Sequence, residues 1–252
     1  MDSVIMVMRE RPDLRAPILI EGLPGVGNVG KLAAEHLVEQ MKAVKFADIY
    51  SKHFPSQVLL DDDGVIRLVD NEMHYSKGEG KRPDIIILTG DYQGMTPDGQ
   101  YELSYHAIQV CKELGVSRIY TLGGYGIGKM VESPRVLGAV TDISMCAEMA
   151  AHGVVFSKGE PGSGIVGASG LMLGLGKMEG IPAVCLMGET SGYFVDPKGA
   201  EAVLRVLMAL LHLDIDLSAL TDKAEQIDLI TNKLKEAEAP EAPRREDLGY
   251  IG

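Results

Sequence analysis

Tryptophan is absent, phenylalanine occurs four times, and aromatic residues together make up 5% of the chain. A core without large rings is filled by Val, Ile, Leu, Met and Ala, which pack as aliphatic layers. Cysteine is almost as scarce. Cys111, Cys146 and Cys185 stand far apart, with no Cys-x-x-Cys and no Cys/His cluster. That excludes zinc-site spacing and argues against a secreted disulfide scaffold. No apolar run approaches the ~18 residues of a membrane-spanning helix. The stretch from Met1 to Arg11 has no basic start before its apolar residues, so it does not read as a signal peptide. Positive charge is in deficit: 24 Lys and Arg face 36 Asp and Glu, a formal net charge of -12. Such a chain does not collect on phosphate backbones or anionic lipid. Neither nucleic acid nor membrane is expected as a partner, and the expected location is the cytoplasm. An acidic surface suits a partner that presents Lys or Arg.

What is plentiful is glycine, with 30 residues in a chain of 252, and aliphatic sequence. The glycines fall in short bursts between apolar runs, where they read as turns and close backbone approaches. Pro17 to Glu21 reads as the first strand, followed by the loop Gly22 to Gly30, a helix over 31–41 and a strand over 44–50. Gln57–Leu60 and Val65–Val69 flank Asp61-Asp62-Asp63-Gly64, a hairpin signal. The β-branched run Asp84 to Gly90 fits a strand buried on both faces. Pro97 opens a helix that Gly115 closes, and Val116 to Gly123 is a further buried strand. A helix over 141–151, a strand over 153–156, a helix over 169–178, a strand over 181–187 and a helix from Asp196-Pro197 to Leu213 complete the alternation. Strands alternating with helices predict a three-layer α/β/α domain with a mostly parallel sheet over residues 1–213.

The remainder has another texture. Leu217, Leu220, Ala224, Ile227 and Leu234 keep helical spacing, which predicts an amphipathic helix over 214–238, equally suited to lying on its own domain or to an oligomer contact. Residues 239–252 begin as a polar, proline-broken stretch with too little apolar surface to offset the entropy of ordering. They end in Leu248-Gly249-Tyr250-Ile251-Gly252. An apolar tip on a polar leash is the pattern of a docking peptide, with Leu248, Tyr250, Ile251 and the carboxylate of Gly252 as the contact groups.

Three glycine clusters are the sharpest motifs. Gly25-Val26-Gly27-Asn28-Val29-Gly30 is a literal G-x-G-x-x-G between a strand and a helix, the pattern that holds a pyrophosphate in dinucleotide-binding folds. The second strand, however, carries its acid, Asp48, internally rather than at its end, and no Lys-Ser/Thr pair makes a Walker loop. Gly123-Gly124-Tyr125-Gly126 follows a strand, and Gly162 to Gly170 precedes a helix. Together these loops line either an anion or ligand pocket at the sheet edge or a set of tight packing contacts, with packing favoured. Candidate catalytic groups are sparse. The His residues are scattered with no metal-binding pair, no G-x-S-x-G elbow is present, and Cys185 sits in an apolar strand as inert core. Asp91 and Glu189, each at a strand end, are the carboxylates best placed for acid/base work.

Taken in order, Glu21 to Gly30, Leu88-Thr89-Gly90-Asp91-Tyr92-Gln93, Thr121 to Tyr125, Gly167 to Gly174 and Gly188 to Tyr193 resemble the archaeal branch of the proteasome assembly chaperone family over residues 12–213. The resemblance implies a phosphorylase/hydrolase-like α/β/α fold, homo-oligomers of varying size and no established catalytic activity; neither a cofactor nor a metal is expected. It also implies binding to the proteasome core particle or its α subunits. Some members insert a C-terminal hydrophobic–Tyr–any motif between α subunits; in this chain Tyr250 is third from last, after Gly249. The expected function is that of a non-enzymatic partner-binding protein. The alternative is an enzyme for a nucleoside or phosphate ligand, using Gly25, Gly27, Asn28, Gly30, Gly123 and Gly124 with Asp91 and Glu189.

Overall fold

The computed structural model describes residues 2–156 and 164–238. In chain order the strands and helices are β1 (Val4–Met8), β2 (Ile18–Glu21), α1 (Val29–Gln40), β3 (Val44–Ser51), β4 (Val58–Leu60), β5 (Ile66–Leu68), β6 (Asn71–Ser76), β7 (Ile85–Gly90), α2 (Pro97–Glu113), β8 (Arg118–Gly126), β9 (Val136–Val140), α3 (Cys146–Ala151), β10 (Val154–Val155), α4 (Ala168–Met178), β11 (Ala183–Thr190), α5 (Pro197–Leu211) and α6 (Ser218–Glu238). Nine strands form one sheet in the order β1-β3-β6-β7-β2-β8-β11-β9-β10. Its centre, β7-β2-β8-β11, is parallel throughout. Antiparallel pairing joins β1, β3 and β6 to one side of this block and β9 to the other.

Two aliphatic cores sandwich the sheet. On one face α1 and α5 cover Ile20, Ile85, Ile87, Leu122, Val184 and Leu186. On the other, α2 and α4 cover Leu19, Ile86, Leu88, Ile119, Cys185 and Met187. Alternate residues of one strand thus serve opposite cores, as the period of two requires, and β7 and β11 are buried at every position. The helices start where their caps dictate. Thr96 accepts from the Gly99 N–H ahead of Pro97, and Asp196 accepts from the Gly199 N–H ahead of Pro197. Helix α6 starts on its own domain: Leu217 and Leu220 join the α1/α5 core and Ala224 is buried, whereas Leu229 is exposed.

The hairpin stands as a separate two-stranded sheet of β4 and β5, turned by Gly64 at φ 78°. The helix expected over 141–151 is shorter than its sequence pattern. It is a 3-10 turn at Ile143–Met145 followed by α3, and β9 takes residues 136–140 just before.

Candidate functional site

The parallel strands β2, β8 and β11 end side by side, and their loops border a half-open cavity of about 390 Å³. Its wall comes from Leu23, Gly25 and Val26 after β2, Leu122 to Gly126 of β8, and Cys185 and Met187 of β11. Gln93 and the approach to α4, Gly164 to Val166 with Ser169, complete it. The structure therefore brings the three glycine clusters together. The expected residues divide by role. Gly25, Gly123 and Gly124 line the cavity. Gly27 and Asn28 take left-handed backbone, with φ 62° and 50°, to turn the chain into α1. Gly30 lets α1 lie against β8, because a Cβ there would stand 2.2 Å from the Leu122 carbonyl oxygen.

The dinucleotide reading of this loop does not survive the topology. Asp48 lies on β3, which β6 and β7 separate from β2, roughly 14 Å away at normal strand spacing. Its carboxylate is taken by Arg9 and Lys45, each at 2.6 Å. Asp48, Asp70 and Glu72 are the one cluster of metal-ligating type among the described residues, but the Lys45 ammonium bridges Asp48 and Glu72 at 2.6 and 2.7 Å.

Asp91 and Glu189 are not a catalytic pair. β2 and β8 stand between their strands, which puts them again about 14 Å apart. Each is held by an arginine. Arg67 grips Asp91 with two hydrogen bonds of 2.6 and 2.9 Å, and the Asp70 N–H donates a third. Burial by itself would raise the Asp91 pKa, but these donors, with the charges of Arg67 and Lys31, hold it below the usual carboxylate range. Arg135 grips Glu189 through its guanidinium and its own N–H, and this lowers the Glu189 pKa. Both carboxylates stay ionised and occupied, the opposite of what a general acid or base needs.

The group that sequence reasoning missed is Glu21. In the sheet register Glu21 stands opposite Thr121, and Thr121 opposite Cys185, so the three form one row facing α4. All three are fully buried. The Glu21 carboxylate accepts from the Leu23 N–H at 3.1 Å and from the Ser169 hydroxyl at 2.9 Å. Burial outweighs those two bonds and pushes the Glu21 pKa up to about 7. Burial likewise pushes the Cys185 thiol up to about 12, so it remains a protonated, inert neighbour. The signal for Glu21 was a lone acid closing an aliphatic strand directly before a glycine loop.

The model of the PAC2 family matches residues 19–235 of this chain, which takes in every wall of the cavity. The chain belongs to the PAC2 family. Among relatives, an uncharacterized protein of Methanocaldococcus jannaschii is 42% identical over 246 residues, spanning 95% of this chain and 93% of that protein. Among solved structures, PbaB of Pyrococcus furiosus, described as an archaeal proteasome activator, superposes with a TM-score of 0.89. It is 41% identical and covers 93% of this chain and 100% of its own. PbaA of the same organism, described as an archaeal homolog of proteasome-assembly chaperone, gives a TM-score of 0.77 at 26% identity, covering 94% of this chain and 93% of its own. The α/β architecture is thus that of its PAC2 relatives.

Two exposed apolar regions flank the PAC2 core. The cavity rim carries Val26 and Val166, and the loop after β11 exposes Tyr193, Phe194 and Val195. The β4–β5 hairpin exposes Val58, Leu60, Val65, Ile66 and Leu68. No helix among the described residues is long and apolar enough to cross a membrane. The expected docking residues Leu248, Tyr250, Ile251 and Gly252 lie outside the described residues.

Proposed function

We propose that this PAC2-family chain is a non-enzymatic, homo-oligomeric cytoplasmic protein that binds the proteasome core particle or its α subunits through its surface and its C-terminal tip. The observation that carries this reading is the likeness to PbaB, 41% identical across the whole of that protein and close in backbone. The site chemistry agrees with it. The two carboxylates best suited to acid/base work are locked in ion pairs, and the buried acid Glu21 is covered by Ser169. Recognition has better material. Apolar side chains stand exposed on the hairpin and the rim, and Leu248, Tyr250 and Ile251 end a stretch rich in charge and proline. Several such tips on one oligomer would raise avidity, because every engagement after the first is intramolecular.

The test is capture of archaeal proteasome α subunits by the full chain and by a chain ending at Asp247. The truncated protein is expected to keep its secondary structure and its size by light scattering, and to lose capture by at least roughly tenfold. Equal capture by both proteins refutes the role of the tip. Turnover of a nucleoside or phosphorylated substrate by the purified chain, abolished by Asp91→Ala, would replace the whole reading with the enzymatic one.

A further inference from the structure

The cavity at the β2–β8–β11 edge has two wall positions that packing does not explain. A Cβ on Gly22, Gly30 or Gly124 would stand 2.2 Å from a backbone oxygen, and Gly27 and Gly167 need positive φ. Gly25 and Gly123 answer to neither constraint. Gly25 is extended at φ -163° and Gly123 lies within β8. A Cβ on Gly123 would meet nothing nearer than Met187 Cγ at 3.9 Å, and one on Gly25 nothing nearer than Gln93 Nε2 at 3.8 Å. Both positions line the cavity, so their missing side chains keep volume open instead of letting chain segments close on each other.

The space has a defined chemistry. Leu23, Val26, Ile165, Val166 and Met187 make it mostly apolar, and no described lining residue carries a charge. A charged guest would be buried without a counter-charge. Gln93 is already committed: its amide donates to the Pro24 carbonyl and accepts from the Ala168 N–H and from Gln100. Ser169 and Tyr125 carry the remaining wall hydroxyls, and Ser169, beside the buried Glu21, is the one we take as the polar anchor. While Glu21 is ionised, Ser169 donates to it and offers the guest a lone pair. Once Glu21 is protonated, the carboxyl O–H donates to Ser169, and the serine's own proton turns toward the guest or the Leu122 carbonyl, 3.4 Å away. A guest hydroxyl, donor and acceptor in one, satisfies Ser169 in both states. The volume falls within the roughly 300–1,000 Å³ of small-molecule sites.

We propose that this cavity is a binding site for an uncharged, mostly apolar molecule bearing a hydroxyl group, its apolar body against Leu23, Val26 and Met187 and its hydroxyl on Ser169. The site is independent of the proteasome-binding reading, and either stands if the other fails. p-Cresol is the probe, titrated into full-length protein carrying 13C-methyl methionine, with the Met187 methyl assigned through Met187→Leu. A saturable shift of the Met187 signal in roughly the millimolar range is expected for a fragment of this size. Toluene binds more weakly for want of the hydroxyl, and benzoate does not bind. Ser169→Ala weakens p-cresol by roughly fivefold to tenfold. Gly123→Val, whose side chain enters open space, abolishes the shift, and Gly25→Ala reduces it. The proposal is overturned if Met187 does not respond in a saturable way, or if Gly123→Val binds as well as the parent. Equal binding by a protein ending at Asp247 supports a free ligand. Binding gained only on truncation assigns the cavity to the chain's own tip and overturns the small-molecule reading.

Discussion

Replacing Glu21 by glutamine isolates the contribution of one buried acid. In the folded protein its pKa lies at about 7, against 4.5 for the exposed side chain. The slope of stability with pH follows the protons bound by the unfolded chain minus those bound by the native one. Between these two pKa values the native state holds the proton and the unfolded chain does not, so stability falls as pH rises through this window and is level above it. The gap corresponds to about 3 kcal/mol. Glutamine has nearly the same shape and no charge. Its carbonyl can accept from Leu23 N–H, and its amide can donate to Ser169 Oγ in place of the reversed bond. Glu21→Gln is therefore expected to match the parent below about pH 4 and to exceed it by about 3 kcal/mol at pH 8, or roughly 6–12 °C in Tm for a chain of this length. Urea unfolding of both proteins at several pH values measures the difference directly and cancels every other titrating group. Parallel profiles, or a variant less stable than the parent at pH 8, would refute the argument that Glu21 is a desolvated acid.

Two further substitutions test the framework around the site. Gly30→Ala places a Cβ 2.2 Å from the Leu122 carbonyl oxygen, backbone against backbone, and is expected to destabilise by at least about 2 kcal/mol in urea unfolding; a neutral result would mean that α1 does not sit on β8 as described. Arg67→Ala removes the two-pronged clasp between the β4–β5 hairpin and Asp91; faster amide exchange confined to residues 58–68, with global stability lowered by only about 1 kcal/mol because Arg67 is half exposed, is the expected signature.

The parallel centre of the sheet was legible because its strands are pure aliphatic runs. Ile85-Ile86-Ile87-Leu88 is buried on both faces and admits no other reading. The wings were not. β6 reads Asn71-Glu72-Met73-His74-Tyr75-Ser76, and its charged positions conceal the alternation that puts Met73 in the core. Glu72 is held there by His74 on its own strand and by Lys45 on the neighbouring one, the latter a partnership of residues 27 positions apart. β9 is short, glycine-containing and follows Pro134, so local preference spoke against a strand; Gly138 is there because the Val154 and Phe156 side chains leave no room for a Cβ. At the site, the glycine clusters announced a meeting of loops, but only the register could place Glu21 opposite Thr121 and under Ser169, residues 148 positions apart. The carboxylates that looked promising at strand ends were spoken for by Arg67 and Arg135, whose proximity no spacing rule encodes.

The glycine contacts of Gly22 with α1, Gly30 with β8 and Gly124 with the Val26 carbonyl interlock three chain segments at van der Waals limit. Such a rim has no slack to take up when something settles on it. Whatever docks there meets a mould already set, and its association should show little ordering entropy and little change in amide protection across residues 22–30 and 122–126.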